Sequence, residues 1–151
     1  MERGKMGILI DDRQEKHKIS KIKLQKRAQA ILNALGSLEG ELSILVVDDS
    51  EIKTLNKDYL NRLGPTNVIA FPMKEGDFSD INPQLLGDVV ISIETAGREA
   101  LQSGISTEER FAQLLVHGIL HLFGFDHEKS EQDARKMEKK SNELLRLIES
   151  Y

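Results

Sequence analysis

One stretch of the chain decides the fold around it and the site it builds: His117-Gly118-Ile119-Leu120-His121-Leu122-Phe123-Gly124-Phe125-Asp126-His127. On an α-helix a step of four residues turns by about 400°, so His117 and His121 lie on one face, one turn apart. His127 can join them only if the helix ends first, because on a continuous helix it would lie about 15 Å from His117 along the axis. Gly124 is suited to end the helix, since glycine adopts the left-handed C-cap conformation without a Cβ penalty.

This spacing predicts a metal site. Three neutral imidazoles with a fourth position left to solvent are typical of catalytic zinc, whereas structural zinc sites usually close with four ligands rich in cysteine. The chain contains no cysteine. Imidazole also suits copper, iron and nickel, but zinc is the usual occupant of an open three-histidine site. We therefore expect one Zn²⁺ per chain, held by His117, His121 and His127.

Composition and charge restrict the classes of protein to which the chain can belong. It has 151 residues, 39% of them hydrophobic, which predicts a single domain over residues 1–151. No apolar run approaches the ~18 residues of a membrane helix and no signal-peptide pattern follows Met1, so we expect a cytoplasmic protein without a membrane partner. The net charge of −4 argues against broad affinity for nucleic acid, although a local basic groove is compatible with it.

Apolar periodicity and turn residues predict an α+β fold, a small mixed β-sheet of about four strands with about five helices. The predicted strands cover residues 8–10, 41–48, 66–72 and 89–93. Residues 73–86 are predicted to form a loop. The predicted helices are 19–35, a helix from a cap at Asp49 or Ser50 to Gly64-Pro65, 94–102, the histidine helix after a capping box of Ser106 and Glu109, and a last helix from Ser130 to near Tyr151.

The histidine spacing alone matches that of the metzincin peptidases, with one difference. Those enzymes have a glutamate directly after the first histidine, where this chain has Gly118. The glutamate takes a proton from water at the zinc and passes it to the leaving amine, so its absence removes the general base and leaves the metal site intact. A peptidase is therefore a weaker alternative. A noncatalytic module that uses zinc only to fix its fold is another.

The histidine stretch resembles the H-G-x-L-H-L-x-G-[YF]-D-H signature of the YbeY family. Further blocks follow in the family's order: Leu55-Asn56 with Tyr59, Pro65-Thr66-Asn67-Val68 with Phe71-Pro72, and Leu86-Gly87-Asp88-Val89-Val90-Ile91. The resemblance covers the chain apart from roughly the first 40 residues. It implies a zincin-like metal helix and a metal-dependent endoribonuclease of single-stranded RNA. It also implies roles in 16S rRNA 3′-end maturation, ribosome biogenesis and ribosome quality control, with the ribosomal small subunit as a partner.

One position departs from the family pattern. The family's arginine, which the resemblance would place on the RNA phosphate, directly follows the tyrosine, and here that position is Leu60. Arg62 lies two residues later and is our candidate for the same catalytic role beside His117. On a continuous helix a shift of two residues turns a side chain by about 200°, so Arg62 can act only if the helix has already ended. A solvated cation at a helix end is the alternative.

The remaining site candidates are polar residues near the histidines. Thr66 and Asn67 are expected to bind substrate by donating hydrogen bonds, or else only to begin a strand. Asp126 is expected to orient an imidazole, or else to cap a turn. Either water or the RNA's own 2′-hydroxyl is the nucleophile. Because nothing in the sequence resembles the stacking aromatics of a base-reading module, strandedness rather than base sequence is expected to select the substrate.

Overall fold

The structure is a computed structural model that describes residues 7–73 and 84–151. These residues form four strands and five helices, which confirms the predicted α+β architecture. In chain order the elements are β1 (Ile8–Asp12), α1 (Lys21–Ala34), β2 (Glu41–Val47), α2 (Asp49–Leu60), β3 (Val68–Pro72), β4 (Leu85–Ser92), α3 (Ile93–Ser103), α4 (Thr107–Leu122) and α5 (Glu131–Ile148).

The sheet is mixed, with the strand order β1-β2-β4-β3. β1 and β4 both run parallel to β2, and β3 runs antiparallel to β4. β3 is therefore an edge strand. Residues beside it in space can approach its backbone directly.

Apolar residues alternate between the two faces of the sheet because successive side chains of a strand point in opposite directions. On one face Val89 and Ile91 of β4 join the larger core, to which α4 contributes Leu115, Ile119 and Leu120, all with 0% exposure. On the other face a smaller cluster holds Val47, Ile52, Ile69 and Val90. α2 thus covers one face and α4 the other. No helix among the described residues is both long and apolar enough to cross a membrane.

The boundaries of α2 differ from the prediction at both ends. Asp48 caps the helix, not Asp49 or Ser50: its side chain accepts a hydrogen bond from the Glu51 N–H at 2.9 Å. The Asp49 carboxylate is already occupied, since it accepts from the hydroxyls of Ser92 at 2.6 Å and Thr95 at 2.7 Å.

At its other end α2 stops at Leu60 and does not continue to Gly64-Pro65. Asn61 takes the left-handed conformation, with φ of 56°, and ends the helix. The buried Asn56 side chain secures the segment that follows by donating to the Gly64 carbonyl at 3.0 Å. Arg62 therefore lies outside the helix.

Other predicted boundaries move by a few residues. β3 begins at Val68, so Thr66 and Asn67 precede it. β4 begins at Leu85, within the predicted loop, and ends at Ser92 because the Ser92 hydroxyl caps α3 by accepting from the Thr95 N–H at 3.2 Å. The rest of that predicted loop, residues 74–83, lies outside the described residues. α5 ends at Ile148.

Candidate metal centre

α4 places two of the three clustered histidines. The helix starts at the predicted capping box, in which the Ser106 hydroxyl accepts from the Glu109 N–H at 3.0 Å and the Glu109 carboxylate accepts from the Ser106 N–H at 3.2 Å. His117 and His121 lie one turn apart near its end, each half-buried. The apolar remainder of the helix is packed in the core. Packing therefore fixes the direction in which both imidazoles point.

The helix ends in the way that the sequence predicts. Gly124 has a φ of 93°, and the N–H groups of Gly124 and Phe125 donate to the carbonyls of His121 at 3.0 Å and Leu120 at 3.1 Å. This pair of bonds is the Schellman arrangement, which satisfies the last helical carbonyls and reverses the chain. The reversal brings His127 back to the other two histidines, and the predicted role of Gly124 is confirmed.

The three imidazoles converge on one point. Their potential ligand atoms all lie within 4.8 Å of one another, and the Nε2 atoms of His117 and His121 are 3.0 Å apart. The His127 ring centroid is 5.4 Å from that of His117 and 5.8 Å from that of His121. A zinc ion binds imidazole nitrogen at roughly 2.0–2.1 Å, which puts neighbouring ligands of a tetrahedral site about 3.3 Å apart. The spacing and the all-nitrogen donor set therefore fit zinc.

Burial favours the neutral, metal-binding form of His117 and His121. Desolvation, helped by the charges of His121, His127 and Arg110, lowers the pKa of His117 to about 4. Desolvation also lowers the pKa of His121, against the opposing effect of the Asp126 charge. Both rings therefore keep free lone pairs at neutral pH without competition from protons.

His117 and His121 open onto a cleft of about 760 Å³ that runs along β3. We call it the metal cleft. Its described lining comes from the segment after α2, from β3, and from the end of α4 with the turn beyond it: Leu60, Arg62, Asn67, Val68, Ile69, Ala70, Phe71, Pro72, His117, Gly118, His121, Gly124, Phe125, Asp126 and Lys129. The cleft thus joins two of the sequence blocks that resemble the YbeY family, the block over residues 65–72 and the histidine stretch.

Arg62 reaches this cleft because α2 has already ended. Its side chain is exposed and has no hydrogen bond or ion pair with any residue that the structure describes. Lys129, which the sequence analysis did not single out, lines the same cleft and is equally exposed. Its position in the sequence, two residues after His127, is the signal that could have identified it as a site residue. The two cations give the cleft positive charge beside the histidines.

The other predicted site residues have different surroundings. Asn67 lines the cleft, but its amide donates to the Glu99 carboxylate at 3.2 and 3.3 Å. Thr66 is half-buried and is not among the described residues of the lining. Asp126 lines the cleft, and its carboxylate accepts from the Glu128 N–H at 2.8 Å. This hydrogen bond is the one expected if Asp126 caps a turn. The negative charge of Asp126 also acts to raise the pKa of His121.

Gly118 has a packing role that the sequence analysis missed. A Cβ at this position would lie 2.7 Å from Val89 Cγ1 and 3.3 Å from Val68 Cγ2. α4 therefore crosses the sheet so closely that a Cβ at this position would require Val89 to shift. A glycine inside a helix costs about 0.5–1 kcal/mol relative to alanine, so its presence there calls for a reason of this kind. A glutamate here would force the helix and sheet apart.

Comparison with known proteins identifies the family. The family model described as Endoribonuclease YbeY matches residues 9–149. The chain belongs to the YbeY family. It is 49% identical to the YbeY endoribonuclease of Geobacter sulfurreducens over 146 residues, which cover 96% of this chain and 97% of that relative. It is 43% identical to the YbeY endoribonuclease of Aquifex aeolicus over 144 residues, covering 95% and 93% of the two chains.

A solved structure shares the fold of this YbeY chain. The solution structure of TM1509 from Thermotoga maritima is 22% identical in sequence, with a TM-score of 0.64 over 93% of this chain and 88% of that one. The family model and the relatives confirm the resemblance to the YbeY family drawn from the histidine stretch, and they extend it over nearly the whole chain.

Proposed function

We propose that this protein is a zinc-dependent endoribonuclease that cleaves single-stranded RNA. The observation that carries the proposal is the convergence of three imidazoles within 4.8 Å, two of which line a cleft that also holds Arg62 and Lys129. A metal with two nearby cations suits a phosphodiester, whose charge must be neutralised during cleavage. Membership of the Endoribonuclease YbeY family supports RNA as the substrate.

The residues at the site have two roles, since some bind the metal and others bind the phosphate. When bound to His117, His121 and His127, zinc supplies Lewis acidity, which offsets charge on the phosphodiester and makes water reactive near neutral pH. Arg62 presents a planar set of donors that matches phosphate oxygens, and Lys129 adds a second positive charge. Asp126 is the one carboxylate among the described lining residues. The side chains thus bind and orient the substrate more than they move protons.

The nucleophile is accessible to a direct test. Attack by the RNA's 2′-hydroxyl leaves a 2′,3′-cyclic phosphate and requires that hydroxyl at the scissile nucleotide. Attack by water leaves no cyclic end. Cleavage of an oligoribonucleotide that carries a single 2′-deoxy substitution at the scissile position distinguishes the routes, since substitution abolishes only the first.

We further propose that the substrate is ribosomal RNA in the cytoplasm. The roles are 16S rRNA 3′-end maturation, ribosome biogenesis and ribosome quality control, with the ribosomal small subunit as partner. The support is family membership. In cells depleted of the protein, 16S rRNA with unprocessed 3′ ends should accumulate, and expression of a His117→Ala variant should not restore processing.

Gly118 argues against a peptidase. The position that carries the general base in metzincins here packs against Val89, so no glutamate fits without displacing the sheet. A noncatalytic zinc module makes a different prediction. If zinc served only the fold, its removal would unfold the protein, whereas an open catalytic site loses activity before it loses structure.

The test compares wild type, His117→Ala and His17→Ala on single-stranded RNA, double-stranded RNA and casein at low salt, where phosphate contacts are strongest. His17 is the matched control, since it is the one histidine outside the cluster. We expect wild type and His17→Ala to cleave single-stranded RNA and His117→Ala to be inactive. Undiminished cleavage by His117→Ala would indicate a contaminating nuclease. Casein cleavage that disappears in this variant would favour the peptidase.

A further inference from the structure

A second pocket lies beside the metal cleft, on the face of the sheet that α2 covers. Its volume is about 480 Å³, and its walls are the aliphatic Leu45, Leu55 and Val90 with the aromatic Tyr59 and Phe71. We call it the aromatic pocket. Phe71 lines both this pocket and the metal cleft. The two sites therefore adjoin at one residue of the edge strand β3.

Tyr59 gives this pocket an exposed aromatic surface. Its side chain is 68% exposed, yet the ring is held edge-on against Phe71, with centroids 5.8 Å apart and an angle of 75° between the planes. Tyr59 lies in the last turn of α2, directly before Leu60, which lines the metal cleft. A large ring already fixed by a neighbour loses little conformational freedom when a flat partner stacks on it.

The charges of the aromatic pocket do not suit phosphate. Arg13, the one cation among the described lining residues, is already paired with Asp11 at 2.8 Å and Glu51 at 2.6 Å. Asp88 also lines the pocket and has no ion pair among the described residues. An anionic backbone is therefore repelled there, whereas a neutral nucleobase is accepted. Arg62 and Lys129, which have no ion pair among the described residues, lie instead in the metal cleft.

We propose that the aromatic pocket binds one unpaired base that flanks the scissile phosphodiester, stacked on Tyr59. The inference rests on the proposed cleavage of RNA and deepens it. A base paired within a duplex cannot enter the pocket, so the preference for single strands becomes a property of this subsite. Stacking tolerates any base, because every base has a π-face. Tyr59 is thus a specificity residue for strandedness rather than for sequence.

The experiment uses a short single-stranded RNA with one scissile site, in which an abasic residue replaces each nucleotide in turn. Wild type, Tyr59→Phe and Tyr59→Leu are compared by kcat and KM. The matched control is Tyr151→Leu, since Tyr151 is the other tyrosine and is 46% exposed outside both sites. Thermal unfolding of each variant verifies that it is folded.

We expect one abasic position to raise the KM of wild type roughly 5- to 100-fold, the range of a lost base-stacking contact. Exchange of one base for another at this position should change KM little. Tyr59→Leu should raise KM for intact RNA by a similar factor and should be insensitive to the abasic residue, because the two changes remove the same contact. Tyr59→Phe and Tyr151→Leu should behave as wild type.

Two results would overturn the inference. One is an abasic scan of wild type that shows no sensitive position beside the scissile site, a measurement that needs no variant to fold. The other is a KM of Tyr59→Leu that the abasic residue raises by the same factor as it raises the KM of wild type. Failure of wild type to cleave any RNA would instead refute the proposed function.

Discussion

The polar side chains in the two halves of α4 have different kinds of partner. In the first half Arg110 donates from Nε to Glu99 at 2.9 Å and from its terminal nitrogen to Gln113 at 2.7 Å, so each group has a complementary partner. In the second half the facing nitrogens of His117 and His121, both basic, approach to 3.0 Å. Complementary pairs hold a fold together. Basic atoms that converge on one another form a site that could hold a cation.

Replacement of one residue in each half gives the largest expected contrast. His117→Ala should lose zinc and reduce kcat/KM by more than the roughly 10- to 100-fold that follows loss of a residue that only supports a metal ligand. Arg110→Ala should retain zinc and lose stability instead. Elemental analysis and RNA cleavage measure both variants. Stoichiometric zinc in His117→Ala would contradict the distinction between the two halves.

Replacement of Arg62 tests whether a cation placed in the cleft by the end of α2 contributes to cleavage together with the histidines of α4. Arg62→Ala should reduce kcat/KM by roughly 10- to 100-fold, the value of one charge-assisted hydrogen bond. Arg62→Lys should recover part of this loss, because lysine keeps the charge without the bidentate geometry. Zinc content should be unchanged in both. An Arg62→Ala enzyme with wild-type kinetics would show that Arg62 is only a solvated cation.

Gly118 in the histidine half of α4 and Gly124 in the turn after it should respond to substitution for different reasons. Gly118→Ala should lower the free energy of unfolding by about 1–3 kcal/mol, since its Cβ overlaps Val89 in a packed interface. Gly124→Ala should lower it by about 1 kcal/mol, because the left-handed backbone and not lack of space opposes a side chain there. Urea unfolding measures both. A greater decrease in the free energy of unfolding for Gly124→Ala than for Gly118→Ala would contradict these two explanations.

A further expected effect is a pH dependence of stability in the metal-free protein. Because burial lowers the pKa of His117 to about 4, the unfolded chain takes up a proton near pH 6.5 that the folded chain resists. The free energy of unfolding should therefore fall as the pH drops from about 6.5 toward 4. His117→Ala should show a shallower fall in urea titrations at pH 7.5 and 5. An equal fall of the free energy of unfolding with pH in wild type and His117→Ala would show that His117 is not its cause.

Local signals explain what the sequence predicts well. Histidine spacing, Gly124 and the Ser106–Glu109 capping box each act within a few turns of one helix, and the structure confirms the turn and the cap. The five helices and four strands follow from periodicity of the same short range. Such features depend on neighbours in the chain, which a single sequence displays.

Long-range packing explains what the sequence does not predict. The end of α2 at Asn61 depends on the Asn56 contact with Gly64 and on a left-handed asparagine, where Gly64-Pro65 offered the stronger local signal. The tight fit of Gly118 depends on Val89 of another element. The pairing of Tyr59 with Phe71 also joins two elements, so the aromatic pocket is invisible in the sequence.

The central claim is that one metal ion at the three histidines drives cleavage of single-stranded RNA. The most direct test titrates zinc into chelator-treated protein that is verified as folded, and follows the rate of RNA cleavage. The account predicts that the stripped protein is inactive and that the rate rises linearly to a plateau at one equivalent of zinc. Full activity in the stripped protein, or a rate that zinc does not restore, would contradict it.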